Sequence, residues 1–424
     1  MMEWLLGFST LIAALYLLSR HFVSHESSTE SPPAVPYLIP WLGSTLQFAR
    51  DPVSFLERCR RRYGRIYRIV VAGSEIVVVA DAASIAELER DVTKSLDKVD
   101  LVARAVRVVT GINIEGDQAV YEVMKNKIFP RIAKAFSQTA MTSHFLKEVD
   151  RELVAQLVKM GSSAPSTILN LLDVTARPLY CSTCIALFGP TFPYEDTYYD
   201  FKLLDSNFNQ LNTGIPFVAL NAVRARKHIF RSTVRFISSW WDGEGTQYIP
   251  GISELGLEWL QELKTHGLSK TQASTVLIFV LWGSQTNIWE MSFWLLHHLA
   301  SDLSSQEKLR EEANKFNERR GESDIDTSLT PLLNSAMTET LRWVSKTGIV
   351  RRVIKDMRVM VENQVVHISK ESILYADVGA VHSDPTIYPH PDQFDINRFL
   401  SWDNSQHGAQ PAPMAWGGGA HFVS

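Results

Sequence analysis

The longest helix-like run in the chain spans 269–300, and its centre is apolar on every side: Leu281-Trp282-Gly283-Ser284-Gln285-Thr286-Asn287-Ile288-Trp289-Glu290-Met291-Ser292-Phe293-Trp294. A helix that is hydrophobic all round belongs inside a core, so the rest of the chain must wrap it. Helix-like stretches at 118–136, 144–160, 166–188 and 252–264 are available to do so. Only 65–80 reads as β structure. The runs R-I-Y-R-I-V-V-A and E-I-V-V-V-A flank Gly73-Ser74, which is the pattern and turn chemistry of a hairpin. There is no internal repeat and no second composition regime, so the expected fold class is mainly α (α+β), one helical domain with a small N-terminal β-sheet.

At 424 residues the chain can bury a large core, and its net charge of -4 argues against nucleic acid as a partner. Trp4 to Leu18 is almost wholly apolar, and Glu3 to Ser19 reaches the lower limit of the roughly 17 to 25 residues a spanning helix needs. Glu3 ahead of this run and Arg20 and His21 behind it suit an uncleaved signal-anchor better than a cleaved signal peptide. The expected layout is a membrane anchor helix over 1–20, a proline-rich connector over 21–50 containing Pro32, Pro33, Pro36 and Pro40, and a globular domain over 51–424. In a eukaryotic host this puts a single-pass protein in the endoplasmic reticulum membrane, with its bulk facing the cytosol. Cys59, Cys181 and Cys184 are too few for a disulfide framework. Cys181 and Cys184 have C-x-x-C spacing but no second pair, and read as two buried thiols.

Three constellations can carry chemistry. Glu339 and Arg342 lie three apart on a helix and can pair, although such pairs are common on surfaces. From His382 the chain reads H-S-D-P-T-I-Y-P-H-P-D-Q-F-D-I-N-R-F, a proline-pinned coil ending in Arg398-Phe399. The last residues are Trp416-Gly417-Gly418-Gly419-Ala420-His421-Phe422-Val423-Ser424. The three glycines are not a phosphate loop, because no G-K-[ST] follows and no strand precedes them. They let backbone approach a flat ring closely.

The coil and the ending together resemble the cytochrome P450 family, whose approach loop reads H-x-D-P-x-x-Y-P-x-P-x-x-F-x-x-x-R-F and whose haem loop in many fungal members reads W-G-G-G-x-H-x-C-P-G-R. The central W-G-S-Q-T-N and F-W, with the Pro-Trp-Leu-Gly connector, resemble the branch of sterol 7α- and 12α-hydroxylases and prostacyclin synthase. The resemblance implies haem b as cofactor, a lipophilic small-molecule substrate of secondary-metabolite, terpenoid or sterol type, and NADPH–cytochrome P450 reductase as partner. It implies a membrane-anchored haem-thiolate monooxygenase, although the branch also holds an isomerase. It places Glu339, Arg342 and Arg398 in a buried triad. Thr286 and Asn287 fall where most members carry an acid–Thr pair that delivers protons. Arg351 falls where a cation meets a haem propionate, with Arg352 as the alternative, and Lys125, four residues after Tyr121, as a possible second partner. Trp416, Gly417, Gly419, His421 and Phe422 fall in the cofactor loop. The run Arg58, Arg60, Arg61, Arg62 reads as a solvated helix face, or as contact with acidic lipid or an acidic reductase.

The resemblance breaks at the iron ligand. Val423 stands where the family has Cys, and Val has no lone pair to offer a metal, so no metal ligand is assigned. His421 would have to reach iron from a loop built for a residue two places later. The family's C-terminal helix and hairpin are not in the sequence. Val423-Ser424 is also what an intron start, GT(A/G)AGT, encodes, which makes an unspliced intron after Phe422 one expectation. The alternative to the monooxygenase is therefore a truncated, catalytically inactive remnant or mis-spliced product without the thiolate.

Overall fold

The computed structural model describes residues 31–90, 95–97, 99–136, 139–161, 170–212, 217, 219–243, 248–319, 330–346, 348–361, 364–400 and 413–414. The expected anchor over 1–20 and the loop residues Trp416, Gly417, Gly419, His421, Phe422 and Val423 lie outside them. The chain divides into two compact units, one formed by 1–101 with 338–424 and the other by 102–337.

The first unit is built on a sheet. After a short helix, Thr45–Arg50, comes helix Pro52–Tyr63, with Asp51 accepting the Ser54 N–H as N-cap and Pro52 in the first turn, where its missing N–H is harmless. The helix buries Phe55, Leu56 and Cys59 and leaves Arg58, Arg61 and Arg62 exposed. Strands β1 (Ile66–Val71) and β2 (Ser74–Val79) form an antiparallel hairpin. Its turn is Ala72-Gly73, one residue earlier than the sequence suggests, because both residues take the positive φ (50° and 79°) that a tight right-twisted hairpin needs. A side chain at Gly73 would also collide with the Trp41 indole, whose Nε1 lies 2.6 Å from the Cβ position.

The hairpin alone does not complete the sheet. Strands β3 (Leu96–Asp97), β4 (Ile349–Val353) and β7 (Ile373–Ala376) join it in the order β1-β2-β7-β4-β3, with β2 parallel to β7 and Val79 facing Ala376. A separate hairpin, β5 (Met357–Val361) and β6 (Gln364–Ile368), buries Val359, Val361, Val366 and Ile368 on one face, the two-residue alternation of a half-covered sheet.

The second unit is helical and packs around Lys270–Ser301. This central helix starts at a capping box between Ser269 and Gln272. Its first half is a core helix, with residues 273–278, Val280 and Leu281 all buried. Beyond Leu281 the expectation of burial on every side fails: only Gln285 and Trp289 are buried, while Gly283, Asn287, Ile288, Glu290 and Leu296 are exposed. The aromatic half therefore offers one covered face and one open face.

Helix Leu171–Phe188 crosses the same core. It is the one described helix long and apolar enough to span a membrane, but 67% of that window is buried in protein. Cys181 and Cys184 are free thiols inside it. Helices Tyr194–Ser206 and Leu220–Asp242 pack against each other. The stretch 118–136 is helical throughout but contains a single π turn, Met124–Ile128, flanked by Gln118–Val123 and Phe129–Phe136. Such a turn inserts an extra residue and rotates the helix beyond it. Lys125 sits on it, exposed, four residues after the buried Tyr121.

Candidate functional site

Each unit holds one group of candidate residues. In the first, helix Pro331–Val344 carries Glu339 and Arg342 one turn apart, both fully buried. Arg342 Nε and Nη2 donate to Glu339 Oε2 and Oε1 at 2.7 and 2.8 Å, a planar fork on a carboxylate. Arg398 Nε adds 3.0 Å to Oε2. Two guanidinium groups around one carboxylate leave surplus positive charge, and the proline-pinned coil meets it with carbonyl oxygens. Arg342 Nη1 donates to His382 O (2.7 Å) and Pro391 O (3.0 Å), while Arg398 donates to the carbonyls of Pro389, His390 and Gln393. Prolines hold these carbonyls in place and, having no N–H, add no competing donor. Tyr388 lies under Arg342, its ring centroid 5.5 Å from the guanidinium carbon.

Arg351 is on β4 with its side chain buried, and Nη1 donates to Val350 O at 2.9 Å. Arg352, its neighbour in the strand, points the other way, partly exposed, with Glu371 at 3.9 Å. Strand alternation thus separates the two arginines that the sequence leaves open. Lys125 and Tyr121 belong to the second unit.

In that unit, Thr286 and Trp282 share one face of the central helix, four residues apart. Trp282 Nε1 donates to Asp205 Oδ1 at 3.0 Å, and the Thr286 hydroxyl lies 2.9 Å from the same oxygen and 3.1 Å from Trp282 O. Asp205 comes from helix Tyr194–Ser206. Burial raises its carboxyl above the usual range, against the hydrogen bonds from Thr286, Trp282 and Trp289, which pull it down. Phe208 stacks on Trp282 at 4.9 Å, and Phe201 meets Trp289 edge-on at 5.5 Å. Asn287 lies one residue further round the helix, on its exposed side.

Sequence reasoning missed Asp205. Its helix also carries Glu195, Asp196 and Asp200, so nothing local marks one acid as the one that meets the central helix. His382 is legible in the sequence only as the first residue of the proline-pinned coil. Its ring is fully buried between Ser345 O and the Met414 amide.

The residues meet the demands of haem at one end only. A buried guanidinium on β4 suits a propionate carboxylate. Iron needs an axial donor, and the described cysteines are poor candidates: burial raises Cys59, raises Cys181 to about 12 and raises Cys184 well above its ordinary value, so all three stay thiols inside helices. Position 423 is Val. Among the described residues no thiolate is available to iron. Nor do Glu152, Cys181 and Glu195 make a metal site, although their ligand atoms lie within 4.8 Å of one another. Arg151 and Arg177 already pair with the two carboxylates, and the thiol keeps its proton.

A family model described as Cytochrome P450 matches residues 247–422. The pig 5-beta-cholestane-3-alpha,7-alpha-diol 12-alpha-hydroxylase is 24% identical over 416 residues, which are 93% of this chain and 81% of that protein. Human prostacyclin synthase is 24% identical, covering 87% of this chain and 76% of its own length. The lanosterol 14-alpha demethylase of Eremothecium gossypii is 24% identical, covering 95% and 77%. A solved structure described as retinoic acid bound cyanobacterial CYP120A1 shares the fold, with TM-score 0.71 and 20% identity over 92% of this chain and 86% of that one. In its Glu–Arg–Arg cluster, its fold and these relatives, the chain is similar to the cytochrome P450 family.

Proposed function

We propose that the fold is that of a membrane-anchored haem-thiolate monooxygenase that hydroxylates a lipophilic small molecule of sterol, terpenoid or secondary-metabolite type, and that this chain, as its sequence reads, is silent in that chemistry. The family's chemistry is that of monooxygenase oxidoreductases, which supports the reaction class. The names of the pig hydroxylase and the Eremothecium demethylase support a sterol-like substrate. The observation that carries the reading is the Glu339 cluster, in which two arginines fix the coil that leads towards the cofactor loop. Arg351 is the proposed propionate partner, with Arg352 as the alternative. Reductase supplies electrons, and the apolar run at 4–18 holds the protein to the endoplasmic reticulum membrane. Val423 supports the second half of the proposal, because no group at that position can donate to iron.

The test is the spectrum of the hemin-reconstituted chain, reduced and treated with carbon monoxide. No thiolate-type Soret band is expected, and its presence would overturn the silent reading. The same spectrum of Val423→Cys is expected to gain that band. If neither protein perturbs the hemin spectrum at all, the haem reading itself fails.

A further inference from the structure

Segment 38–53 leaves much of its apolar surface uncovered. Leu38, Ile39, Trp41, Leu46 and Val53 are five of the twenty large apolar side chains exposed among the described residues. Apolar side chains scattered singly over a surface need no explanation, but a quarter of them gathered in one short segment does. The backbone holds the group in place. Ser44 N donates to Val70 O, Trp41 O accepts the Gly73 N–H and Thr45 Oγ1 accepts the Ala72 N–H, each at 2.7 Å. The segment is thus fastened from the end of β1 to the turn of the β1–β2 hairpin. Trp41 nonetheless stays 67% exposed and Leu46 69%. Ordered local structure, not slack chain, presents these side chains to the outside.

Positive charge is set beside them. Helix Thr45–Arg50 carries Leu46 and Arg50 four residues apart, on one face, and both are exposed. Helix Pro52–Tyr63 repeats that order, with Val53 exposed in its first turn and Arg58, Arg61 and Arg62 exposed towards its end. Acids do not balance them: Asp51 caps the helix through the Ser54 N–H, and Glu57 pairs with Arg61 alone. An acidic protein surface answers the arginines only, whereas the interface of an acidic bilayer answers both halves. There indole rings settle at headgroup depth, arginine stems lie along apolar surface, and anionic lipid attracts the guanidinium groups. We infer that segment 38–62 is a second membrane contact, in which Trp41 and Leu46 enter the headgroup boundary of an anionic bilayer and Arg50, Arg58, Arg61 and Arg62 meet its lipid phosphates. The inference rests on the membrane reading of the apolar run 4–18 given above. About twenty residues join that run to Leu38, a reach of at most about 70 Å, so a tethered chain keeps the patch close to the bilayer.

The test uses the full chain in vesicles of roughly three parts phosphatidylcholine to one of phosphatidylserine. Cys59, Cys181 and Cys184 are buried thiols, so a thiol-reactive nitrobenzoxadiazole probe reports on a cysteine introduced at the surface. Trp41→Cys and Leu46→Cys carry the probe in separate proteins, and Leu303→Cys, on an exposed residue of helix Leu303–Arg319, is the comparator. Flotation reads vesicle binding itself. Lipid spin-labelled high in its acyl chain should quench the probe at 41 and 46 at least about twofold more than at 303, as entry by about 5–10 Å requires. Combining Arg58→Glu, Arg61→Glu and Arg62→Glu should bring that quenching down to the comparator's level while the chain still floats. A chain that floats with no extra quenching at 41 and 46 overturns the second contact and leaves the anchor standing. A chain that does not float overturns both. Extra quenching that survives the arginine reversal, or is as strong in pure phosphatidylcholine, overturns the pairing with acidic lipid. Should Trp41→Cys fail to fold, Leu46→Cys decides alone.

Discussion

Thr286 and Asp205, from two different helices, share a contact of 2.9 Å between hydroxyl and carboxylate. The same Asp205 oxygen accepts from Trp282, so a single half-buried carboxylate fastens helix Tyr194–Ser206 to the central helix. The helix has no acid beside its own threonine, yet the fold brings one to it from elsewhere.

Removing that acceptor should loosen the pair of helices. Asp205→Leu leaves the Trp282 indole and the Thr286 hydroxyl without their shared partner and should cost about 1–3 kcal/mol in urea unfolding. Asp205→Asn keeps an acceptor and should cost less. In a double-mutant cycle with Thr286→Val, the coupling energy should exceed about 0.5 kcal/mol. Additive losses would show that the contact carries no energy.

The Glu339 cluster should be far less forgiving. Glu339→Gln removes the carboxylate shared by the buried Arg342 and the half-buried Arg398 and should cost about 3–5 kcal/mol, because the Arg342 charge stays buried without its partner. Arg398→Lys keeps the charge but loses the fork that reaches three carbonyls, so it too should destabilise, by a smaller amount. Denaturant midpoints for the two variants give the order directly.

His382 should make stability depend on pH. Its folded pKa, about 4, lies below the ordinary 6.5, so the unfolded chain binds the extra proton first. Its contribution is fully present above pH 6.5 and is lost as pH falls towards 4, amounting to about 3 kcal/mol for a shift of this size. A stability profile measured between those limits should slope upward with pH, and the slope should flatten in His382→Leu.

Buried thiols should be slow. With Cys59, Cys181 and Cys184 all raised, the native chain should resist a disulfide-exchange reagent at neutral pH and react fully only once unfolded. Rapid reaction at Cys181 or Cys184 in the native protein would contradict their placement in the core.

Local pattern made much of this legible. The hairpin, the central helix and the Glu339–Arg342 spacing depend on neighbours in sequence, where alternation, helical period and one-turn spacing leave clear marks. The features that stayed hidden depend on distant partners. Strands β4 and β7 are short, and nothing in either one states that it pairs with the other and that β7 runs beside β2. Asp205 is one acid among several on its helix, and only the opposing tryptophans and threonine select it. The exposed second half of the central helix departs from its pattern for the converse reason: apolar composition shows that a surface could be buried, while the neighbours decide whether it is.

The parallel pairing of β2 with β7 also bears on how the chain is made. Val79 cannot meet Ala376 until nearly the whole intervening polypeptide has been synthesised, a wait on the order of tens of seconds at cellular elongation rates. During that interval the edge of β2 is an open strand. The ribosome thus releases a hairpin with an unfilled seat, and long-range closure of this kind is slow even once the partner exists. Chaperone cover over the first hundred residues would be most useful in that window, before the sheet is closed.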